Sequence, residues 1–233
     1  MEIINEMKRQ FNASDVFLCD VTNFIVYNQI KGDYLEFGVY KGNTLLRTDY
    51  WMKIHWQEYL NIFKDHQIDT KYNNDYLLEK RFFAFDSFQG LPASNSKDTP
   101  LHFSEGAYKS SYSRFTNNLQ NNLFDMSKLI TVKGWFSDTL NNKTKTKFNL
   151  SKASIIFIDC DLYESALPVF DFINSLIHDG TVLIIDDFFR YKGHPCKGIQ
   201  SLYNCWIKKN THIHTAELSR CCANRIAFVC NII

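Results

Sequence analysis

Four aspartates stand out because each pair of them follows an apolar stretch of the sequence. Asp159 and Asp161 end the run in "SIIFIDCDLY", and Asp186 and Asp187 end the run in "VLIIDDFF". Carboxylates at the end of a buried element repel each other and resist the loss of water, so their charge needs compensation. A divalent cation would provide it, and ligands that are all oxygen favour Mg²⁺ over zinc. The pattern predicts a metal site at Asp159, Asp186 and Asp187, unless these acids are solvated or cap helices.

Short apolar strands, separated by segments of helix length, must position these acids. Five strands are predicted, at 33–39, 81–86, 129–134, 153–159 and 181–186. Most are apolar almost throughout, which is typical of strands covered by helices on both faces of the sheet. The tail segments "THIHTAEL" and "NRIAFVCNI" predict a terminal antiparallel hairpin. The sequence therefore predicts an α/β fold with a doubly wound, mostly parallel sheet in a single domain, 1–233.

Three regions around the strands carry further expectations. Residues 1–30 are expected to form an N-terminal helical region, and residues 87–127 are long enough for a lid or substrate loop with a helix near 110–123. The segment "YESALPVFDFINSLIHDG" predicts a helix capped by Ser165, with Pro168 in its first turn. The segment "IQSLYNCWIKK" predicts another helix.

Composition excludes several classes of function. Lys and Arg number 26 against 25 Asp and Glu, a formal net charge of +1, so a nucleic-acid partner is not expected. No apolar run approaches the ~20 residues that span a bilayer, and the N-terminus lacks the apolar core of a secretion signal. The seven cysteines have no metal-binding or redox spacing and are interpreted as free thiols. These features predict a cytoplasmic protein without a membrane partner.

Ligands of open α/β sheets bind beyond the carboxyl ends of the strands, and two further groups of residues lie there. The first strand runs into "EFGVYKGNT", where Gly38 and Gly42 would let the backbone approach a ligand and Glu36 would accept hydrogen bonds. A plain tight turn remains the alternative. The second strand ends in Asp86, where nucleotide-binding sheets place an acid against ribose hydroxyls. A simple helix cap is the alternative for Asp86.

Six motifs together resemble a known family. The segments "EFGVYKG", "FDSFQGLP", "HFSEGAY", "GWFSDTL", "IDCDLYES" and "IIDDF", spread over residues 31–205, look like the macrocin O-methyltransferase (TylF-type) family. The resemblance implies a Rossmann-like class I methyltransferase with a seven-stranded sheet and an antiparallel C-terminal hairpin. It also implies S-adenosylmethionine and Mg²⁺, or another divalent cation, as cofactors. A small sugar-containing substrate and a homodimer are further implications.

The resemblance assigns roles to individual residues. The expected cofactor-binding residues are Glu36, Gly38, Tyr40, Thr44, Asp86, Ser87, Phe88, Gly134, Trp135, Phe136, Asp138 and Asp159. Glu36 and Gly38 would line the methionine portion, Asp86 the ribose, and the "GWFSDT" turn the adenine. The metal ligands implied are Asp159, Asp186 and Asp187. The segment "HFSEGAY", residues 102–108, would belong to the lid.

The expected reaction is methyl transfer to a sugar hydroxyl with a metal ion that orients the acceptor and lowers its pKa. Asp159 would act through that metal, Asp161 is the first candidate for the general base, and His194 is the second. Two alternatives remain open from the sequence. One is a metal-dependent sugar-nucleotide glycosyltransferase that uses Asp159 and Asp161, and the other is a non-catalytic Rossmann-like binding module.

Overall fold

Seven strands form one sheet in the computed structural model, which describes residues 12–64, 76–77, 79–93, 104–222 and 224–233. The strands are β1 (Asp33–Phe37), β2 (Phe82–Asp86), β3 (Leu129–Lys133), β4 (Ala153–Ile158), β5 (Thr181–Ile185), β6 (Ile213–Cys221) and β7 (Arg225–Ile232). Their order is β3-β2-β1-β4-β5-β7-β6, parallel from β3 to β5, with β7 antiparallel to both neighbours. The five predicted strands and the terminal hairpin are confirmed.

Helices cover both faces of this sheet. They are α1 (Ala13–Tyr27), α2 (Asn43–Lys64), α3 (Tyr112–Asn121), α4 (Phe136–Thr139), α5 (Asn142–Lys147), α6 (Tyr163–Ile173) and α7 (Gly198–Lys209). Short 3₁₀ turns at Met126–Lys128 and Asn174–Leu176 complete the set in the described ranges. Within those ranges, no helix has both the length and the apolar character required to cross a membrane.

Alternate residues of the parallel strands face two separate hydrophobic layers. Leu35 and Phe37 of β1 pack in the layer that contains α6 and α7. Tyr34 of the same strand packs in the opposite layer, which contains α1 and α2. Because both faces are buried, each strand is apolar at nearly every position, which explains the continuous apolar runs in the sequence.

The start of α6 corrects one prediction. Ser165 does not cap this helix, because the helix begins at Tyr163 with Leu162 at the cap position and no side-chain hydrogen bond there. Pro168 therefore lies inside the helix rather than in its first turn, and it removes the hydrogen bond to the carbonyl of Glu164. The physical reason is the turn before the helix, where the backbone of Asp161 has φ +61° and the helix follows at once.

The expected N-terminal and lid regions are described in part. Helix α1 lies within the predicted helical region 1–30, whose first eleven positions, 1–11, are outside the described residues. Helix α3 is the helix predicted near 110–123. Of the predicted lid motif, residues 104–108 are described, whereas His102 and Phe103 lie outside the described residues.

A buried lysine lies at the amino-terminal ends of β1 and β4. Lys80 is 3% exposed, and its ammonium donates hydrogen bonds to the carbonyl of Gly32 at 2.9 Å and to Oγ of Ser154 at 2.8 Å. A longer bond of 3.4 Å reaches the carbonyl of Ile30. Burial lowers the pKa of Lys80 to about 7. The lysine thus connects the loop before β1 to the start of β4.

The lowered pKa of Lys80 predicts a pH-dependent stability. The unfolded chain holds a proton on this amine up to its ordinary pKa, so between pH 7 and that value the unfolded state binds more protons and stability rises with pH. Relative to Lys80→Met, which lacks the group, the free energy of unfolding of the parent should increase by about 2 kcal/mol from pH 7 to pH 9. Urea denaturation at each pH measures it. Lys53→Met, at a side chain that is 50% exposed, is the control. A pH-independent difference would contradict the prediction.

Candidate active site

The carboxyl ends of five parallel strands meet at one cavity. The residues at these ends are Gly38, Asp86, Gly134, Asp159 and Asp186. Backbone hydrogen bonds hold them in line: Gly38 N donates to Phe85 O, Asp159 N to Phe37 O, and Asp186 N to Ile158 O, each at 2.9 Å. The sheet therefore delivers the predicted strand-end residues to a common site, as open α/β sheets do.

The cavity has a volume of about 710 Å³ and contains most of the residues predicted from the sequence. The predicted residues that line it are Gly38, Tyr40, Asp86, Ser87, Gly134, Trp135, Phe136, Asp159, Asp161, Asp186 and Asp187. Its size lies within the range of ~300–1,000 Å³ that small-molecule and cofactor sites occupy. One wall is apolar and aromatic around Trp135 and Phe136, and another is acidic, so the site suits a ligand with both kinds of surface.

Gly38 lets the backbone after β1 approach the backbone after β4 closely beside this cavity. Its φ is +92°, and a Cβ built on it would lie 2.0 Å from the carbonyl oxygen of Asp159. Both the backbone conformation and the space therefore require glycine. The first of the two glycines in "EFGVYKG" thus has a specific structural function beyond that of a turn.

Asp86 organises the loops at the cavity rather than pointing freely into it. Its Oδ2 accepts hydrogen bonds from the backbone N–H groups of Val39 at 2.9 Å and Tyr40 at 3.2 Å, and its Oδ1 accepts one from Phe88 N at 2.7 Å. The carboxylate thereby joins the loop after β1 to the loop after β2. Oδ1 keeps a second lone pair, so contact with a ligand hydroxyl remains compatible with these bonds.

Glu36 lies beneath the cavity and not in its lining. It is 1% exposed and accepts a hydrogen bond from the hydroxyl of Tyr34 at 2.7 Å. Burial raises its pKa to about 8. The alternation of β1 explains the placement, because Tyr34 and Glu36 share the face that packs against α1 and α2.

Four other predicted residues also fall outside the cavity lining. Thr44 lies in the first turn of α2. Phe88 is 6% exposed and packs on Tyr112 and Phe115. Asp138 is exposed in α4, and His194 is exposed in a loop where its Nδ1 accepts a hydrogen bond from Cys196 N. The structure does not bring these side chains together with the acids.

The acids themselves are close enough to perturb one another. The carboxyl groups of Asp161 and Asp187 are neighbours in the cavity lining. Burial, followed by the neighbouring Asp187 carboxyl group, raises the pKa of Asp161 to about 8. Burial, followed by the charge of Asp186, raises the pKa of Asp159. The repulsion expected from the sequence is therefore present in the structure.

Two arginines supply positive charge to this cluster. Arg225, the first residue of β7, donates a hydrogen bond from its guanidinium to Oδ2 of Asp186. Arg190 lies 3.4 Å from Oδ1 of Asp187. Neither arginine is among the residues predicted above from the sequence. The signal for Arg225 was available in the predicted hairpin, because a strand antiparallel to β5 begins beside the residue that ends β5.

The described residues do not fit the predicted metal site. Within the ranges that the structure covers, no group of three or more His, Cys, Asp and Glu side chains is arranged to hold a metal ion. Both oxygens of Asp186 already accept hydrogen bonds, Oδ1 from Asp187 N at 3.0 Å and Oδ2 from Arg225. A cation at this carboxylate would lie beside the guanidinium of Arg225, whose positive charge opposes its binding.

A short segment covers part of the cavity. Leu91 N donates to Ala107 O and Gly106 N donates to Leu91 O, both at 2.9 Å, so residues 106–107 pair with the loop after β2. The side chains of Leu91, Ala107 and Leu162 form a small apolar cluster there. Tyr108, next along the chain, lines the cavity and meets the ring of Tyr40 edge-on at 6.5 Å.

Comparisons with known proteins agree with this architecture. The family model described as macrocin O-methyltransferase (TylF) matches residues 68–211, more than half of the chain. The structure of the O-methyltransferase NovP aligns with a TM-score of 0.64 at 18% identity, covering 91% of this chain and 77% of that one. CalS11, a calicheamicin methyltransferase, aligns with a TM-score of 0.60 at 16% identity, covering 90% and 77%. An O-methyltransferase from Bacillus cereus in complex with SAH aligns with a TM-score of 0.54 at 16% identity, covering 92% and 80%. No curated protein matches the sequence significantly.

Proposed function

The chain belongs to the macrocin O-methyltransferase (TylF) family, and from this premise we propose that it is an S-adenosylmethionine-dependent enzyme that methylates a hydroxyl group of a sugar-containing small molecule. The glycosyltransferase and binding-module alternatives have no support in the family match. For the sugar acceptor, support comes from the family description and from CalS11, which is described as a TDP-rhamnose 3'-O-methyltransferase.

The observation that carries the proposal is the cavity where the five strand ends meet. When bound, S-adenosylmethionine supplies an electrophilic methyl group. The residues fit this cofactor: Gly38 presents backbone without a side chain in the lining, Asp86 fixes the loops on either side, and Trp135 and Phe136 offer aromatic surface for a purine. The expected positions of Gly38, Asp86 and the "GWFSDT" turn are therefore retained as the proposed cofactor site.

The acidic wall of the same cavity is the proposed acceptor site. Asp161 lies at this wall beside Asp187, and in its ionised form its carboxylate would take the proton from the acceptor hydroxyl. Tyr40 and Tyr108 stand at the mouth, 39% and 51% exposed, where their ring faces can pack on a sugar. The apolar cluster of Leu91, Ala107 and Leu162 would limit water entry.

The divalent cation predicted from the sequence is not carried into this mechanism. Asp186, one of its three expected ligands, is hydrogen-bonded to the guanidinium of Arg225, whose positive charge opposes a cation there, so the donor set does not fit a metal as arranged. No step proposed for Asp161, Asp187 or the tyrosines depends on a metal. Wild-type turnover in EDTA therefore tests the sequence prediction separately.

Ligand stabilisation and methyl transfer test the proposed function. S-adenosylhomocysteine at a hundred times its dissociation constant should stabilise the protein by about 2.7 kcal/mol, a rise in Tm of about 5–10 °C. Transfer of label from S-adenosylmethionine to free sugars, nucleotide sugars and glycosides then identifies the acceptor class. Stabilisation by uridine or guanosine diphosphate with Mn²⁺, and none by S-adenosylhomocysteine, would overturn the proposal.

A further inference from the structure

Arg225 reaches the acids because of the sheet topology. Strand β7 is antiparallel to β5 and pairs Ile226 with Ile185. The residue before Ile226 therefore lies beside the residue after Ile185, which places Arg225 next to Asp186. Its guanidinium donates a hydrogen bond to Oδ2 of that carboxylate. The contact is thus fixed by strand register and not by a flexible loop.

Contacts on the other side hold the guanidinium in place. Nη1 of Arg225 donates to Oγ of Ser14 in α1 at 2.8 Å. The guanidinium carbon lies 4.9 Å from the ring centre of Phe157 and 5.9 Å from that of Phe17. The side chain is only 14% exposed. A buried arginine that stacks on aromatic rings and donates hydrogen bonds from both amino groups of its guanidinium is held in one position.

The arginine also acts on acids that it does not touch. Its charge favours the ionised forms of Asp159 and Glu36, against the burial that raises their pKa values. The positive charge of one guanidinium therefore stabilises three ionised carboxyl groups near the ends of β1, β4 and β5. A cation shared among several acids is the charge balance that the sequence pattern assigned to Mg²⁺.

We propose that Arg225 is a positioning residue of the active site, which holds the Asp186 carboxylate and takes the charge-balancing place predicted for a divalent cation. The proposal rests on the proposed function only for the identification of this cavity as an active site, since the contacts of Arg225 do not depend on the acceptor. It explains how several acids can lie together at the carboxyl ends of the strands, because an arginine of the same chain supplies the opposite charge.

Mn²⁺ binding tests this role without an acceptor or a cofactor. The electron paramagnetic resonance signal of free Mn²⁺ falls on binding, and it can be titrated with the wild type, Arg225→Met and Arg225→Lys. Removal of the guanidinium frees Oδ2 of Asp186 and leaves the acids uncompensated, so Arg225→Met should bind Mn²⁺ at least about tenfold more tightly than the wild type. Arg225→Lys keeps the positive charge and should bind as weakly as the wild type.

Arg220→Met is the matched control, because Arg220 lies in the neighbouring strand, is exposed and pairs with Glu217. It should not change Mn²⁺ binding. Circular dichroism checks folding, and Arg225→Gln replaces Arg225→Met if the latter does not fold. The proposal is overturned if the wild type binds Mn²⁺ as tightly as Arg225→Met, or if wild-type turnover is lost in EDTA. Failure to methylate any sugar, with these binding results unchanged, would instead count against the proposed function.

Discussion

An Asp161→Asn variant is expected to lose about a thousandfold in turnover, which is the size of effect typical for removal of a general base. Asp161 lines the cavity, and its carboxyl group neighbours that of Asp187. The amide has the same shape but cannot accept a proton from the acceptor hydroxyl. Because the proposed cofactor site is formed by Gly38, Asp86 and the "GWFSDT" turn, S-adenosylhomocysteine should bind this variant nearly as well as the wild type.

Single-turnover methyl transfer and calorimetric binding of S-adenosylhomocysteine separate these two effects. The matched control is Glu164→Gln, which removes another carboxylate that lines the same cavity from an exposed position in the first turn of α6. It should keep most of the activity. If Asp161→Asn turned over within a few-fold of the wild type, another group would have to accept the proton. Equal losses in both variants would indicate a general effect of negative charge in the cavity.

Gly38→Ala is expected to destabilise the protein strongly. A methyl group there meets the carbonyl oxygen of Asp159 at 2.0 Å, and the φ of +92° disfavours any side chain. The oxygen belongs to the end of a central strand and cannot move without disturbing the sheet. We expect a loss of more than ~4 kcal/mol, a fall in Tm of about 10 °C or more, and no measurable binding of S-adenosylhomocysteine.

Gly106→Ala isolates the backbone contribution to that loss. Gly106 also has a positive φ, +76°, but no atom of the described residues lies within 4 Å of the position that a Cβ would take there. Its replacement should cost only about 1–2 kcal/mol, from the left-handed conformation alone. Thermal unfolding of both variants is the measurement. Similar Tm values for the two would show that the close approach of Gly38 to Asp159 has no energetic consequence.

The sequence predicts the sheet well because its signals are local. Apolar runs set β1 to β5, and the residues that follow those runs lie at the cavity whatever the details of packing. The placement of Glu36 was within reach of the same reasoning. Side chains alternate along a strand, and Glu36 shares its face with Tyr34, which packs in the layer of α1 and α2.

Other features depend on contacts that a sequence does not display. The partner of Asp186 is a residue thirty-nine positions away that is brought close by the register of β7 on β5. The cap of α6 depends on a left-handed turn at Asp161, a conformation that few residue types adopt readily. A motif fixes which acids end the strands, whereas the tertiary structure decides which neighbour balances each one.

The location of Arg225 has a consequence for how the enzyme matures on the ribosome. Strands β1 to β5 emerge first and can pair as a parallel unit, but the guanidinium that balances their acids arrives only with β7, the last strand of the sheet to be translated. Until then, Asp187 already has Arg190 beside it, but Asp186 lacks its arginine partner. The charge balance at the strand ends is therefore completed only late in synthesis.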